Sequence, residues 1–381
     1  MGNLMVNKER LKDKFLELVK IDSVSKHEKI IALNLAKTLE DMGATVQFDD
    51  AGKNTGSDTG NLIAKFKGNV DVKPLFLSGH MDTVEPGNNV NPVFKDGIFR
   101  SDGTTILGSD DKSALAIILE VLSVVLENKS DHPPIEVIFT ICEEIGLMGA
   151  KNFDLSLIDS KFGYILDSTD TEGIATKAPA ANKLIIKVHG KAAHAGGSPE
   201  NGVNAIAIAS KAISRLNLGR IDHETTCNLG TIKGGIATNI VPDFIEIQGE
   251  VRSHDETKLE IITNKIKNAF LETKKEFSKE FDIPEIEFFV ENDFPKTDIP
   301  EESIVVTLAQ KAAKNLGRTM ETKVIGGGAD ANIFFGKGLE PGVIGTGMQD
   351  VHTVNEWIRL GDMVNTCELV LEILRIHAAD E

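Results

Sequence analysis

IEVIFTICEE, residues 135–144, decides how the rest of the chain is read. The run from Ile135 to Ile141 has the apolar, β-branched character of a strand covered on both faces, as in a parallel sheet. It ends in Cys142 and then in two adjacent carboxylates, Glu143 and Glu144. A solvated turn is the plain reading of such a pair. Carboxylates at the end of a core strand otherwise need a partner or a metal, because burying them unpaired is costly.

Working outward, strands expected at 44–49, 61–67, 74–79, 135–141 and 163–166 alternate with helices at 7–20, 27–42 and 111–127. That pattern implies an α/β fold, a mixed sheet flanked by helices. The order then changes. Strand 183–189, helix 202–216, strands 226–233 and 243–252, helix 255–277 and strand 285–291 give β-α-β-β-α-β, the ferredoxin-like α+β arrangement. The first pattern resumes with helix 302–316, strand 321–325, helix 330–336, strand 341–345 and helix 357–378. We therefore expect a catalytic domain of residues 1–180 and 296–381, interrupted by an inserted lid or dimerisation domain at 181–295.

The chain has 381 residues, 41% of them hydrophobic and 26% charged, which is ample for a large core. A formal charge of −17 argues against nucleic acid or an anionic membrane as partner, since both demand a basic face. Three scattered cysteines, Cys142, Cys227 and Cys367, form no disulfide framework and suit a reducing cytoplasm. The opening MGNLMVNKER has no leader pattern, and Val6 stands where a myristoylation motif needs Ser or Thr. The most apolar segment, Ala114 to Leu126, contains Glu120 and is too short to span a bilayer.

Ligands in open α/β sheets gather at the carboxyl ends of the strands. Here those ends carry His80 and Asp82, Asp110 and Asp111, Glu143 and Glu144, Asp167, and the late Asp350-Val351-His352. Each has a dull explanation alone: a core histidine, a helix cap, a turn. Together, two histidines and several carboxylates at one sheet edge suit divalent Zn, Co or Mn. In His80-x-Asp82 both side chains leave one side of an extended chain. Asp82 is therefore expected to accept a hydrogen bond from the imidazole nitrogen of His80 that does not face a metal. In Glu143-Glu144 the neighbours point apart, so that one can bind metal and the other can act as a base on the attacking water.

These motifs, Gly79-His80-Met81-Asp82-Thr83-Val84, Gly108-Ser109-Asp110-Asp111-Lys112, Glu143-Glu144, Asp167 and His352, resemble the M20 family of dinuclear zinc peptidases. Asn89-Val90-Asn91-Pro92, Thr104-Thr105-Ile106-Leu107-Gly108 and Asp at 167 resemble its peptidase T (tripeptide aminopeptidase) branch. The resemblance implies one metal on His80, Asp110 and Asp167, a second on Asp110, Glu144 and His352, and Asp110 bridging them. It implies Glu143 as base, Asp82 behind His80, a cis Asp110–Asp111 peptide, and His194 as oxyanion donor. Asn239, Arg252 and the glycine turn at Gly327 would contact the substrate. The implied cofactor is two divalent ions, zinc first. The implied partners are a small peptide and a second copy of the chain joined through the inserted domain. Two departures touch the substrate side: the loop from Pro92 to Asp102 is shorter than in peptidase T, and Gly326 replaces an arginine.

Other readings remain open at this level. Gly326-Gly327-Gly328-Ala329-Asp330-Ala331 fits the G-x-G-x-x-A dinucleotide pattern, though late in the chain. A non-catalytic binding protein on a peptidase fold would have lost a ligand or the base, and none is missing. Within the family an N-acyl-amino-acid deacylase or a carboxypeptidase would use the same centre. Arg252 would then hold the substrate carboxylate.

Overall fold

The computed structural model describes residues 5–277 and 284–379. Residues 1–4, which open the leader reading, lie outside that range. The chain divides into two compact units. One comprises residues 1–176, 298–324 and 329–381, the other residues 177–297 and 325–328. The short piece Ile325–Gly328 belongs with the second unit, a detail the sequence pattern did not expose.

The first unit is built on a mixed sheet. In spatial order it runs Thr45–Phe48, Leu62–Phe66, Ile135–Thr140, Leu75–His80, Phe162–Ile165, Glu340–Ile344 and Gly173–Ala178. The four strands from Ile135–Thr140 to Glu340–Ile344 are mutually parallel, and their neighbours on either side are antiparallel. All six residues of Ile135–Thr140 and of Leu75–His80 are buried, which is why these strands read as continuous apolar runs rather than alternating ones. Their register sets His80 opposite Thr140, so two parallel strands end level.

Helices Lys8–Val19, Ser109–Glu127 and Leu360–Ala378 pack on one another and contribute to one apolar core with the strands. In Lys8–Val19 the buried residues are Leu11, Phe15, Leu18 and Val19, the spacing of a one-sided helix. A small sheet of Val93–Lys95, Ile98–Arg100 and Trp357–Arg359 was not expected from the sequence, because three-residue strands carry too little periodicity to read. It ties the end of the His352 loop to the chain ahead of Asp110.

The second unit has strands Ala180–His189, Thr225–Gly234, Phe244–Ser253 and Glu285–Phe294 with helices Ala205–Ile213 and Glu256–Phe277. All neighbouring strands are antiparallel, in spatial order second, third, first, fourth, with the short Gly219–Arg220 outside the second. That is the ferredoxin-like order. Its own core includes Leu184, Ile186, Val188, Ile208, Ala212, Ile247, Val251, Ile266 and Phe270.

Candidate metal centre

The parallel strands of the first unit direct their carboxyl ends to one edge, and the charged residues follow directly. His80 is the last residue of its strand, with Asp82 two residues on. Asp167 follows the strand ending at Ile165, and Glu143-Glu144 follow the strand ending at Thr140. Asp110 lies at the start of the long helix, where the backbone of Asp110 and Asp111 is still non-helical. The peptide between those two residues is cis, as the resemblance implied. Gly79 is required at its position: a Cβ there would meet the Asp111 carboxylate at 2.7 Å and the Ala114 methyl at 2.9 Å.

Asp110 is the meeting point. Its Oδ1 lies 3.1 Å from His80 Nε2, and its Oδ2 lies 3.1 Å from His352 Nε2. His352 Nε2 is also 3.0 Å from the Glu144 carboxylate. Ligand atoms of His80, Asp110 and Asp167 fall within 4.8 Å of one another, as do those of Asp110, Glu144 and His352, and of His80, Glu143 and Glu144. Each set could hold a metal ion, and Asp110 is common to the first two.

One expected contact differs. The His80 ring donates from Nδ1 to the backbone carbonyl of Asp82 at 2.9 Å, while the Asp82 carboxylate is 3.5 Å away. The carboxylate is engaged elsewhere. Its Oδ1 accepts from Glu143 N at 2.9 Å, and its Oδ2 accepts from Glu144 N at 3.2 Å and Ser25 Oγ at 2.6 Å. The outcome for the ring is unchanged: with Nδ1 held by Asp82, Nε2 is turned to Asp110. Asp82 itself becomes the holder of the two-glutamate turn.

The electrostatics fit a cation. Burial, followed by the repulsion of Asp110, pushes the Asp167 carboxyl up to about 7. Burial raises Glu144 and raises Glu143 well above the carboxylate range, with Asp167, Asp330 and Glu144 adding to the shift on Glu143. Burial also raises Asp110, yet hydrogen bonds from His352 and His80 hold its carboxyl well below the usual range. Hydrogen bonds to Asp110 and Glu144 push His352 up to about 10. Crowded carboxyls that resist ionising together are what a bound cation would relieve, and imidazole plus carboxylate is a donor set suited to borderline divalent ions.

Three residues near this centre escaped the sequence reading. Glu28 is fully buried and accepts from Cys142 N at 3.0 Å, Lys26 N at 2.9 Å and Ser57 Oγ at 2.5 Å. Asp330 accepts from Thr140 Oγ1 at 2.5 Å at the end of the central strand, and burial pushes its carboxyl up to about 6. Glu356 is 1% exposed and accepts from four donors of the segment Leu107–Asp110. Nothing periodic marks these residues. The only signal is a charged residue beside an apolar stretch, as at Glu356-Trp357-Ile358.

The second unit holds the remaining candidates. His194 Nδ1 accepts from Gly197 N at 3.0 Å and Gly196 N at 3.2 Å, which leaves the imidazole proton on Nε2. The ring can thus donate from Nε2. Asn239 lies on the segment paired with His194, its carbonyl accepting from Ala195 N at 2.9 Å. Arg252 pairs with Glu250 at 3.0 Å and lies over the Phe294 ring. Gly327 is exposed, one residue beyond Gly326, whose carbonyl is 3.5 Å from an Arg252 nitrogen. The strand ahead of this glycine run, Glu321–Val324, pairs with Gly173–Ala178 and lies off the main strand path. The run is therefore not the turn between a central parallel strand and a helix that dinucleotide binding needs.

The first unit, with histidines and carboxylates converging at the ends of parallel strands, has the fold and site of a hydrolase of the metallopeptidase class. Comparison with known proteins agrees. Residues 180–278 match the family described as the M20 peptidase dimerisation domain, and residues 61–199 match peptidase family M28. The chain is 43% identical to the Bacillus subtilis protein YqjE, covering 97% of this chain and 99% of that one. It is 42% identical to the crystal structure of aminopeptidase PepT from Bacillus cereus, with a TM-score of 0.88 over 99% of this chain and all of that one. It is 39% identical to that of a tripeptidase from Staphylococcus aureus, with a TM-score of 0.93 and the same coverage. The chain belongs to the M20 metallopeptidase family, on its peptidase T-like branch. Among the described residues, no helix is long and apolar enough to cross a membrane.

Proposed function

We propose that this peptidase is a dinuclear aminopeptidase that removes the first residue from short peptides with a free amino end, tripeptides among them. The observation that carries the proposal is the pair of imidazoles converging on the two oxygens of Asp110, with Glu143 and Glu144 at the same edge. His80, Asp110 and Asp167 would hold one ion, and Asp110, Glu144 and His352 the other. Zinc is the ion proposed, with cobalt and manganese as alternatives. Such ions polarise a scissile carbonyl and acidify the attacking water.

The chain's own residues supply the rest. Glu143, the first glutamate of the turn, takes the water proton and hands it to the leaving amine. Its backbone is fixed by Asp82, and burial makes its carboxylate a stronger base than a solvated one. His194 has the role of donor to the developing oxyanion, for which an Nε2–H is suited. An aminopeptidase and a tripeptidase among the similar structures support the substrate class. The ion pair of Arg252 with Glu250 weighs against Arg252 as an anchor for a substrate carboxylate, and so against the deacylase or carboxypeptidase alternative. The match to a dimerisation domain supports self-association through the second unit. Free, buried cysteines support a cytoplasmic setting, and the acidic charge supports the expectation that nucleic acid is no partner.

The test is hydrolysis of a free tripeptide and of its N-acetylated twin by zinc- or cobalt-loaded protein, with Glu143→Ala as control. Cleavage of the free peptide alone, lost in the variant, is the expected result. Preference for the blocked twin would move the protein to the deacylase or carboxypeptidase side.

A further inference from the structure

We propose that Glu356 is the positioning residue that sets Asp110 against His352; the inference rests on the metal-centre reading above. Its carboxylate is buried and lies at the base of the loop that carries His352, four residues on. Oε2 accepts from Leu107 N at 2.7 Å and Gly108 N at 2.8 Å. Oε1 accepts from Ser109 Oγ at 2.5 Å and Asp110 N at 3.1 Å. One side chain thus satisfies three backbone N–H groups and a hydroxyl in the segment that delivers Asp110. A buried carboxylate is tolerable because every contact it makes here is with a donor.

The other end of the connection is equally fixed. The Glu356 carbonyl accepts from Ser101 N at 3.0 Å, and the next residue begins the strand Trp357–Arg359. Gln349 and Trp357 exchange both backbone hydrogen bonds, at 2.9 and 3.1 Å, and close the neck of the loop. Trp357 Nε1 donates to Asp350 at 3.1 Å. Between the neck residues stands His352, with its Nε2 3.1 Å from Asp110. Glu356 therefore joins the loop of one ligand to the backbone of the other. Its carboxylate acts on backbone N–H groups and a hydroxyl, and so on Asp110 only through the chain that carries it.

The chemistry of the contacts gives a sharp expectation. Both oxygens accept from N–H groups, so glutamine cannot replace glutamate: its amide NH₂ would face a donor whichever way it turned. Glu356→Gln is close to isosteric yet loses the clamp. Partners that orient metal ligands typically contribute about 10–100-fold in metal affinity or activity.

The experiment compares wild type, Glu356→Gln and Ser109→Ala, the last removing one donor and keeping the carboxylate. Each is folded as judged by circular dichroism, loaded with cobalt by equilibrium dialysis, and examined by visible spectroscopy and by tripeptide kinetics. For Glu356→Gln we expect at least about tenfold weaker cobalt binding, an altered cobalt spectrum, and kcat reduced about tenfold or more with KM nearly unchanged. Ser109→Ala should shift in the same direction by less. A purely structural role would lower the melting temperature and leave the spectrum and kcat of the folded, loaded protein alone; that result overturns the inference while the peptidase reading stands. If Glu356→Gln does not fold, an unchanged spectrum and affinity in Ser109→Ala overturn it. Wild type that binds no cobalt would remove the functional reading and this inference together.

Discussion

The Glu143–Glu144 turn and the loop of His352 serve the same carboxylate, Asp110, and are held by different means. In the turn, four successive backbone N–H groups each find a side-chain acceptor from a distant segment. Ile141 donates to Asn61 at 3.0 Å and Cys142 to Glu28 at 3.0 Å, while Glu143 and Glu144 donate to the two oxygens of Asp82. Cys142 adopts the left-handed region, at φ +51°, inside this cage. The His352 loop is largely exposed. It also has two non-glycine residues in that region, Asp350 at φ +52° and His352 at φ +62°, but it is fixed mainly at its neck and at Glu356. The His352 side chain remains 52% exposed. The proposed base, Glu143, thus sits in a turn locked at every peptide, whereas His352, a proposed ligand, is carried on a tethered open loop. Each region should fail in its own way.

The largest contrast is in activity. Glu143→Gln should bind metal like wild type and lose about 10²–10⁴ in kcat, the usual contribution of a positioned general base. Asp110→Ala should instead lose both ions, since two candidate sets share it. His352→Ala, from the open side, should weaken loading while leaving the turn intact. Full activity in Glu143→Gln would remove the base from its assigned place.

The next effect is that of pH on metal binding. Without metal, burial pushes Asp167 up to about 7 and raises Glu144; against burial, hydrogen bonds to Asp110 and Asp82 raise His80 well above its ordinary value, and those to Asp110 and Glu144 push His352 up to about 10. Each must give up a proton to ligate. Affinity should therefore rise with pH across the neutral range, because Asp167, Glu144, His80 and His352 all release protons on ligating, and the slope should ease above about 7 as Asp167 drops out. Metal titrations at pH 5.5 to 8.5 read the slope directly. A flat profile would show that the metal-free centre is already deprotonated.

How far the sequence alone reaches follows the same division. Strand and helix order was legible because central strands such as 135–140 are uniformly apolar and the surface helices are periodic. The clustering of histidines and carboxylates was legible because sheet topology brings strand ends together even when their residues are far apart in the chain. The holders were not. Asp82 was read as the partner of His80, but its carboxylate serves a turn some 60 residues away. Glu28 and Glu356 act across 114 and 246 positions. Such pairings leave no local spacing to read. The three-stranded piece around Trp357 escaped for another reason, its strands being too short to show alternation.

Stability should separate the two regions as well. Glu28→Ala strips the acceptor from Cys142 N, Lys26 N and Ser57 Oγ in a fully buried place. A buried donor left unpaired costs about 1–3 kcal/mol, so the metal-free protein should lose about that much in a urea titration. Glu28→Gln, whose amide oxygen still accepts, should lose less. Asp350→Ala removes one exposed bond to Trp357 and should change the same measurement by less than about 1 kcal/mol. Equal losses would mean that the cage around the turn contributes no more than the surface loop.

The smallest effect is a matter of access. Cys142 lies in the middle of the caged turn. Burial pushes its thiol far up, and the neighbouring Glu28 carboxylate adds to the shift. Cys227 and Cys367 are raised by burial as well. The thiolate is the reactive form, so at pH 8 the native protein should leave a thiol-specific dye uncoloured, and urea should release all three cysteines. A cysteine placed on the open loop by Val354→Cys, at an exposed position, has an ordinary thiol pKa of about 8.5 and should react at once. The ratio of the two rates measures how often the turn opens relative to the loop. If native Cys142 reacted as fast as the introduced cysteine, the four-acceptor cage would not be closed in solution, and the rigidity assigned to Glu143 would fall with it.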